Sequence, residues 1–222
     1  MHPTKPGGPR TLWSELCELL AFEIENGGQV SLINRLDRET SGLVLVAKNA
    51  ATARELGRLV KRHQIEKAYA AITLGWPEPD QFQVDQPLLR QGEKTPSKIW
   101  LKQGIHPDGY PAQTKFNVVH RFENRWGRFT LIHCQLITGR THQIRVHLAS
   151  LGFPLVGDKI YGPDENCYLE FIETGWTPKL QEKLLLERHA LHATSLRFPY
   201  HGHDHLYQSP LPPDLQIFIE ER

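Results

Sequence analysis

The chain is predicted to adopt an α+β fold, a mixed, largely antiparallel sheet with flanking helices. Three observations predict it. Strand-like runs outnumber helical ones, and several runs are joined by short, turn-rich links instead of helical crossovers. The 222 residues contain no internal repeat and no low-complexity linker, so residues 1–222 are expected to form one domain.

A first helix is expected over about 10–25. The apolar run Leu43-Val-Leu-Val-Ala47 predicts a strand over Gly42–Ala47. Asn49 suits the N-cap of a helix reaching His63. The alternating run Lys67-Ala-Tyr-Ala-Ala-Ile-Thr-Leu74 predicts a strand over Ala68–Leu74, and further strands are expected over Lys98–Gln103, Thr114–Arg121, Phe129–Leu136 and Ala193–Arg197. Thr138-Gly139 reads as a turn, and Thr141 as the N-cap of a helix that Gly152 stops near Leu151. Ile144, Leu148 and Leu151 would line its buried face. A last helix is expected over about 179–186, with surface loops at Pro77-Glu-Pro79 and Gly104–Pro111.

With 39% apolar residues the chain can bury a sizeable core. It has no apolar run of about 18 residues to span a membrane. Leu19-Leu-Ala-Phe22 is too short for a signal peptide and is flanked by Glu18 and Glu23. Cys17, Cys134 and Cys167 are too widely spaced for a disulfide framework, which points to a reducing, cytoplasmic compartment. A monomer is the default expectation.

Two constellations carry chemistry. Asn34-Arg-Leu-Asp-Arg-Glu-Thr-Ser-Gly42 sets Asp37 among Arg35, Arg38, Thr40 and Ser41, just ahead of a strand that would hold it rigidly. Such a carboxylate suits a nucleophile, a general base or a cation partner, and equally a loop Asp capping a turn. In Leu136–Leu148, Arg140, His142, Arg145 and His147 follow a strand, and Arg140 and His142 fall at a helix start, where free N–H groups attract anions. An exposed, solvated helix end would look the same.

Together the segments resemble the RluA-type RNA pseudouridine synthases. Asn34–Gly42 is similar to their HRLD-x-x-TSG motif and Lys67-Ala-Tyr69-Ala70 to K-x-Y-x-A. Thr138–His147 matches TGR-x-HQIR-x-H throughout, Gly157-Asp-Lys-Ile-Tyr-Gly162 resembles GD-x-x-YG, and Leu191-His-Ala193 resembles LHA. The five lie in the family's order between about residue 30 and residue 200. The resemblance implies a catalytic domain with a central cleft across its sheet, isomerising uridine in ribosomal or transfer RNA to pseudouridine without cofactor or metal. It makes Asp37 the catalytic carboxylate, attacking the nucleotide or removing a sugar proton. It makes Arg145 the partner of Asp37, Tyr69 the residue that stacks on the base and assists proton removal at the base carbon, and Leu191 the aliphatic cover. Taken alone, Tyr69 and Leu191 suit a core, and Arg145 a surface ion pair.

The chain departs from the pattern twice. Asn34 stands where His is common; it still donates and accepts hydrogen bonds but carries no charge. Relatives also carry a strand ahead of the His-Pro that appears here as His2-Pro3. Either that strand is missing or the natural start lies upstream, and no N-terminal accessory RNA-binding domain is expected.

The net charge of +1 hides an asymmetry. Eight Lys/Arg stand against four Asp/Glu over Arg35–Lys67, and nine against two over Lys94–Arg145, but two against six over Asp164–Glu187. Arg54, Arg58, Lys61 and Arg62 form one stripe on the 50–63 helix, as a solvated face or an RNA contact. With Arg35, Arg38, Thr40, Arg140 and His142 they are the RNA-binding candidates. Trp126 and Phe129 among Arg121, Arg125 and Arg128 read as a hairpin suited to gripping nucleotides. Two other functions compete. His201-Gly-His203-Asp-His205, with His189 and His192, offers imidazoles for zinc but no recognised ligand spacing, so no metal is expected. A non-catalytic RNA-binding or ribosome-assembly protein could keep the fold, but binding alone needs no paired carboxylate.

Overall fold

The structure, a computed structural model, describes residues 10–221. Its first third runs α1 (Leu12–Leu19), α2 (Ala21–Glu25), β1 (Ser31–Leu32), β2 (Ser41–Gly42), β3 (Val46–Ala47), α3 (Ala50–Lys61) and β4 (Glu66–Leu74). There follow β5 (Gln81–Asp85), β6 (Leu88–Arg90), β7 (Gln103–Ile105), β8 (Gln113–Asn124), β9 (Gly127–Leu136) and α4 (Gln143–Ser150). The remainder is α5 (Asn166–Thr174), α6 (Pro178–Leu184), β10 (Leu191–Tyr200), β11 (His203–Gln208) and α7 (Pro213–Glu220). The segment around His2-Pro3 lies outside the described residues.

The main sheet has the order β11-β10-β4-β9-β8-β5, every neighbour antiparallel. β2 adds to β10 in parallel, Ser41 opposite His192 and Gly42 opposite Ala193, which makes the sheet mixed. The α+β expectation is thereby met. β6–β7 and β1–β3 form two small separate ribbons.

Alternation in β4 and β9 sends Tyr69, Ala71, Ile132 and Cys134 to one side, where Ile144 and Leu148 of α4 pack with Phe116, Leu155 and Leu191. Leu148 and Ile132 are fully buried, and truncating one such side chain typically costs roughly 2–5 kcal/mol. The apolar side of α3, with Leu56, packs on Ile65, Leu196 and Phe198 as its stripe pattern predicts, and Asn49 accepts from the Thr52 N–H as its cap.

Several elements differ from expectation, each for a local reason. Gly42–Ala47 is two short strands in different sheets, because the buried Asn34 side chain takes the place of a strand partner. Its Nδ2 donates to the Leu43 carbonyl (3.1 Å) and its Oδ1 accepts from the Leu45 N–H (2.6 Å). Lys98–Gln103 is mostly turn: only Ile99 is buried, and the Ser97 hydroxyl accepts its N–H, while Trp100 stands in solvent. In α4 the cap position is His142, not Thr141, with a left-handed φ of 57°. Leu151 is exposed, because residues 143 to 148 are buried all round and leave no single inner face. Two helices went unread: α5, and α7, which starts from Pro213 at its first turn.

The Trp126 hairpin grips its own chain. Trp126 stacks on Phe218 of α7 at 5.4 Å, Phe129 is buried beside them, Arg125 pairs with Glu221 and Arg121 with Asp80. It lies at the far end of β9 from Leu136, roughly 30 Å away by strand rise.

Gly42 sits at φ +107°, and a Cβ there would lie 2.3 Å from the Ala193 carbonyl oxygen. Gly42→Ala is expected to destabilise the fold by more than about 1 kcal/mol, through backbone strain and disruption of the β2–β10 pairing. Chemical denaturation of wild type and variant checks this; equal midpoints would contradict it.

Candidate active site

The four side chains singled out for chemistry, Asp37, Tyr69, Arg145 and Leu191, line one cavity of about 240 Å³. Arg35, Thr40, Arg140 and His142 line it as well, with Lys67, Leu136 and Gly139. Arg38 and the α3 stripe, Arg54, Arg58, Lys61 and Arg62, stand outside the lining, although Val60 of α3 reaches into it.

Local sequence explains how each group arrives there. Asp37 begins a turn closed by the Thr40 N–H on its carbonyl (3.1 Å), inside the loop that Asn34 ties together. Thr40 Oγ1 hydrogen-bonds with His189 Nε2 (2.7 Å), and Ser41 Oγ with His192 Nδ1 (2.8 Å), so two histidines near β10 fasten the loop. Tyr69 points inward from mid-strand in β4, and Leu191 opens β10 on the adjacent strand. The Thr138–Arg140 turn is knitted by Gln143. Its Oε1 accepts from the Arg140 N–H (2.9 Å) and Thr138 Oγ1 (2.8 Å), and its Nε2 donates to the Gln113 carbonyl and Thr114 Oγ1.

Arg145 is 4% exposed and shared between two carboxylates. Nη1 donates to Asp37 Oδ2 at 3.0 Å, while Nε and Nη2 form a fork on Asp158 at 2.7 and 2.9 Å. Asp158 is fully buried, and its Oδ1 also accepts the N–H groups of Ile160 and Tyr161. Burial pushes the Asp158 carboxyl up, but Arg145 more than reverses this and holds it well below the usual carboxylate range. Burial likewise opposes the guanidinium's charge, and Asp158 and then Asp37 outweigh it, leaving Arg145 more strongly cationic than usual. Asp158 is the residue whose role the sequence reading missed. Its signal was the Gly157-Asp158 motif itself, since Gly157, at φ +77°, allows an approach to the Arg188 carbonyl that any Cβ would block.

Other groups are tuned by the same enclosure. Tyr69 is raised well above the ordinary phenol value, first by burial and then by the Asp37 charge, so its hydroxyl stays protonated. Burial, then Arg145, lowers His142 to about 4 and His189 to about 3, so both are neutral near pH 7. His142 hydrogen-bonds with the Tyr161 hydroxyl (2.8 Å), so the cationic corner suggested by the helix start rests on Arg140, whose guanidinium lies over Tyr110. Burial also lowers Lys67. Among the described residues no three His, Cys, Asp or Glu side chains are placed to hold a metal ion, and His201 instead meets Glu55.

The two depressed histidines give stability a pH dependence. Unfolded, both return to about 6.5, so below that pH the unfolded chain binds protons the folded one refuses. Stability is complete above about pH 6.5 and falls as pH drops from there toward 4 and 3. Melting temperatures between about pH 7.5 and 4.5 should fall accordingly, and less so in His189→Gln. A melting temperature unchanged across that range would contradict the assignment.

Residues 3–150 match the RNA pseudouridylate synthase family. An uncharacterized RNA pseudouridine synthase of Chloroflexus aurantiacus is 35% identical over 226 aligned residues, covering 100% of this chain and 63% of that protein. The ribosomal large subunit pseudouridine synthase D of Escherichia coli is 34% identical over 198, covering 86% and 55%. The chain thus spans about three fifths of the length of these relatives. Human RNA Pseudouridylate Synthase Domain Containing 1 superposes with a TM-score of 0.68 at 25% identity, over 90% of this chain and 76% of that one. With its motifs converging on one cavity and its sequence matched over residues 3–150, the chain belongs to the RNA pseudouridylate synthase family.

Proposed function

We propose that this chain isomerises uridine within RNA to pseudouridine, acting as one catalytic unit. One observation carries the reading: Asp37, paired to a buried arginine that a second carboxylate secures, faces a cavity walled by Tyr69 and Leu191. The reaction breaks the bond between uracil N1 and ribose C1′, turns the base, and joins C5 to C1′, with the C5 hydrogen lost as a proton and the freed N1 taking one up. Asp37 either attacks C1′ or takes a proton from C2′, and both routes require a fixed carboxylate. In the first route its charge vanishes into an ester. Asp158 then still balances Arg145, so the buried guanidinium is never left alone.

Tyr69 supplies a flat face for the extruded base, and its high pKa makes it a hydrogen-bond donor and packing surface, not a ready base. Leu191, on the adjacent strand and the same face of the sheet, adds an aliphatic wall beside it. Extrusion costs a few kcal/mol, offset by phosphate contacts from Arg35, Arg38 and Arg140 and from the α3 stripe Arg54, Arg58, Lys61 and Arg62. Thr40 and His142 are neutral hydrogen-bonding groups at the cavity edge. RNA is the partner, with ribosomal RNA the first substrate to assay because the relative from E. coli bears that name, and transfer RNA the second. A cytoplasmic monomer is the working form. Among the described residues no helix is long and apolar enough to cross a membrane.

Tritium release from RNA carrying 5-tritiated uridine tests the reaction. Wild type should release it, while Asp37→Asn should slow by at least about a thousandfold with RNA affinity kept within a few-fold. Equal release by the two would remove Asp37 from the chemistry, and release by neither would favour a binding-only protein. Replacing Arg54, Arg58, Lys61 and Arg62 by Gln should flatten the log–log salt dependence of binding by about 0.7–0.9 for each phosphate no longer neutralised. An unchanged slope would place the stripe away from the RNA.

A further inference from the structure

An ion pair made by a buried lysine plays no part in the chemistry above. Lys159 follows Asp158 directly and is 3% exposed. Its ammonium donates to Glu39 Oε1 at 2.7 Å and to the Glu187 carbonyl. Phe171 of α5 and Trp176 beyond it stand 4.5 and 5.6 Å from the ammonium, so the 166–184 helical segment supplies the aromatic side of its enclosure. Glu39 lies two residues beyond Asp37 in the same turn. Its backbone carbonyl accepts from Arg188, and its second carboxylate oxygen lies 3.7 Å from His189 Nδ1. A pair with one buried and one partly exposed partner adds little net stability, because desolvating the lysine offsets most of the attraction. What it does supply is position.

We propose that Lys159 and Glu39 are positioning residues that set Asp37 against Arg145, resting on the pseudouridine synthase reading of the site. Consecutive residues of one buried turn then brace the two halves of the reacting pair. Asp158 orients the guanidinium from behind, and Lys159 draws in the loop that carries the carboxylate. A displacement of about 1 Å at a reacting group can lower a rate a hundredfold, so a group that never touches substrate can govern turnover.

The test is a double-mutant cycle on the full chain with Lys159→Met, Glu39→Gln and both together. Single-turnover tritium release, RNA affinity and melting temperature are read for each. Each single variant should slow release by about 10- to 100-fold while the RNA dissociation constant stays within about twofold. The double variant should be no slower than the worse single one, because no unpaired buried charge remains. Rates near wild type in folded variants, effects that multiply, or effects that follow RNA affinity would overturn the proposal. If Lys159→Met does not fold, Glu39→Gln carries the test alone, since the Glu39 side chain is about one quarter exposed. If wild type releases no tritium, the reaction reading fails separately. Positioning is then read from the Asp37 carboxyl carbon resonance, which should move in Glu39→Gln and which, unmoved, overturns it.

Discussion

A guanidinium sealed from water must find its counter-charge inside the protein, and Arg145 finds two. Most of the site follows from that requirement. The fork on Asp158 uses two of the three hydrogen bonds and fixes the plane of the group, so the third is delivered to Asp37 in one direction only. Asp158 in turn exists as a buried anion only because two backbone N–H groups and the arginine satisfy it together. Withdrawing the arginine would leave Asp158 as an unpaired charge that the low-dielectric interior penalises by several kcal/mol. Burial first, and then the charge of Arg145 on the imidazoles and of Asp37 on the tyrosine, keeps the neighbouring imidazoles neutral and the tyrosine protonated.

A second constraint is that loops near the cavity have few backbone partners. Side-chain amides provide the missing ones. Asn34 spans the loop that ends in β3, and Gln143 spans the turn before α4. Each replaces a stretch of strand ladder with one residue, leaving the chain free to curve around a cavity yet rigid enough to aim a carboxylate. Asn34 meets the need of its position for hydrogen bonding without carrying a charge.

The sequence was most legible where function and periodicity coincide. Asp37, Tyr69, Arg145 and Leu191 could be picked out from their motifs, and the cavity brings all four together. The central strands β4, β8 and β9 were readable from alternation and apolar runs. Legibility failed where a residue acts through the interior. Asp158 offers no periodic signal, and its meaning depends on an arginine 13 positions away. Lys159, two residues before a Tyr, looks like any surface lysine until its carboxylate partner arrives from 120 positions away. The Lys98–Gln103 run misled because its residues are largely exposed turn, and the Trp126 hairpin, present as read, has an aromatic partner on α7 that lies too far along the chain to be anticipated.

The parallel contact of β2 with β10 bears on when the site comes into being. Ser41 and His192 are 151 positions apart, and Thr40 meets His189 across 149. Closing loops of that size is slow, because the chain entropy is spent before the contacts reward it. A growing chain can therefore complete the β8–β9 hairpin and its central sheet while the Asp37 loop still has nothing to dock on. Any intermediate lacking β10 has neither the Leu191 wall of the cavity nor the fastening of the Asp37 turn. The assembled cavity is thus a property of the last third of the chain as much as of the first, and it is complete only once β10 has joined the sheet.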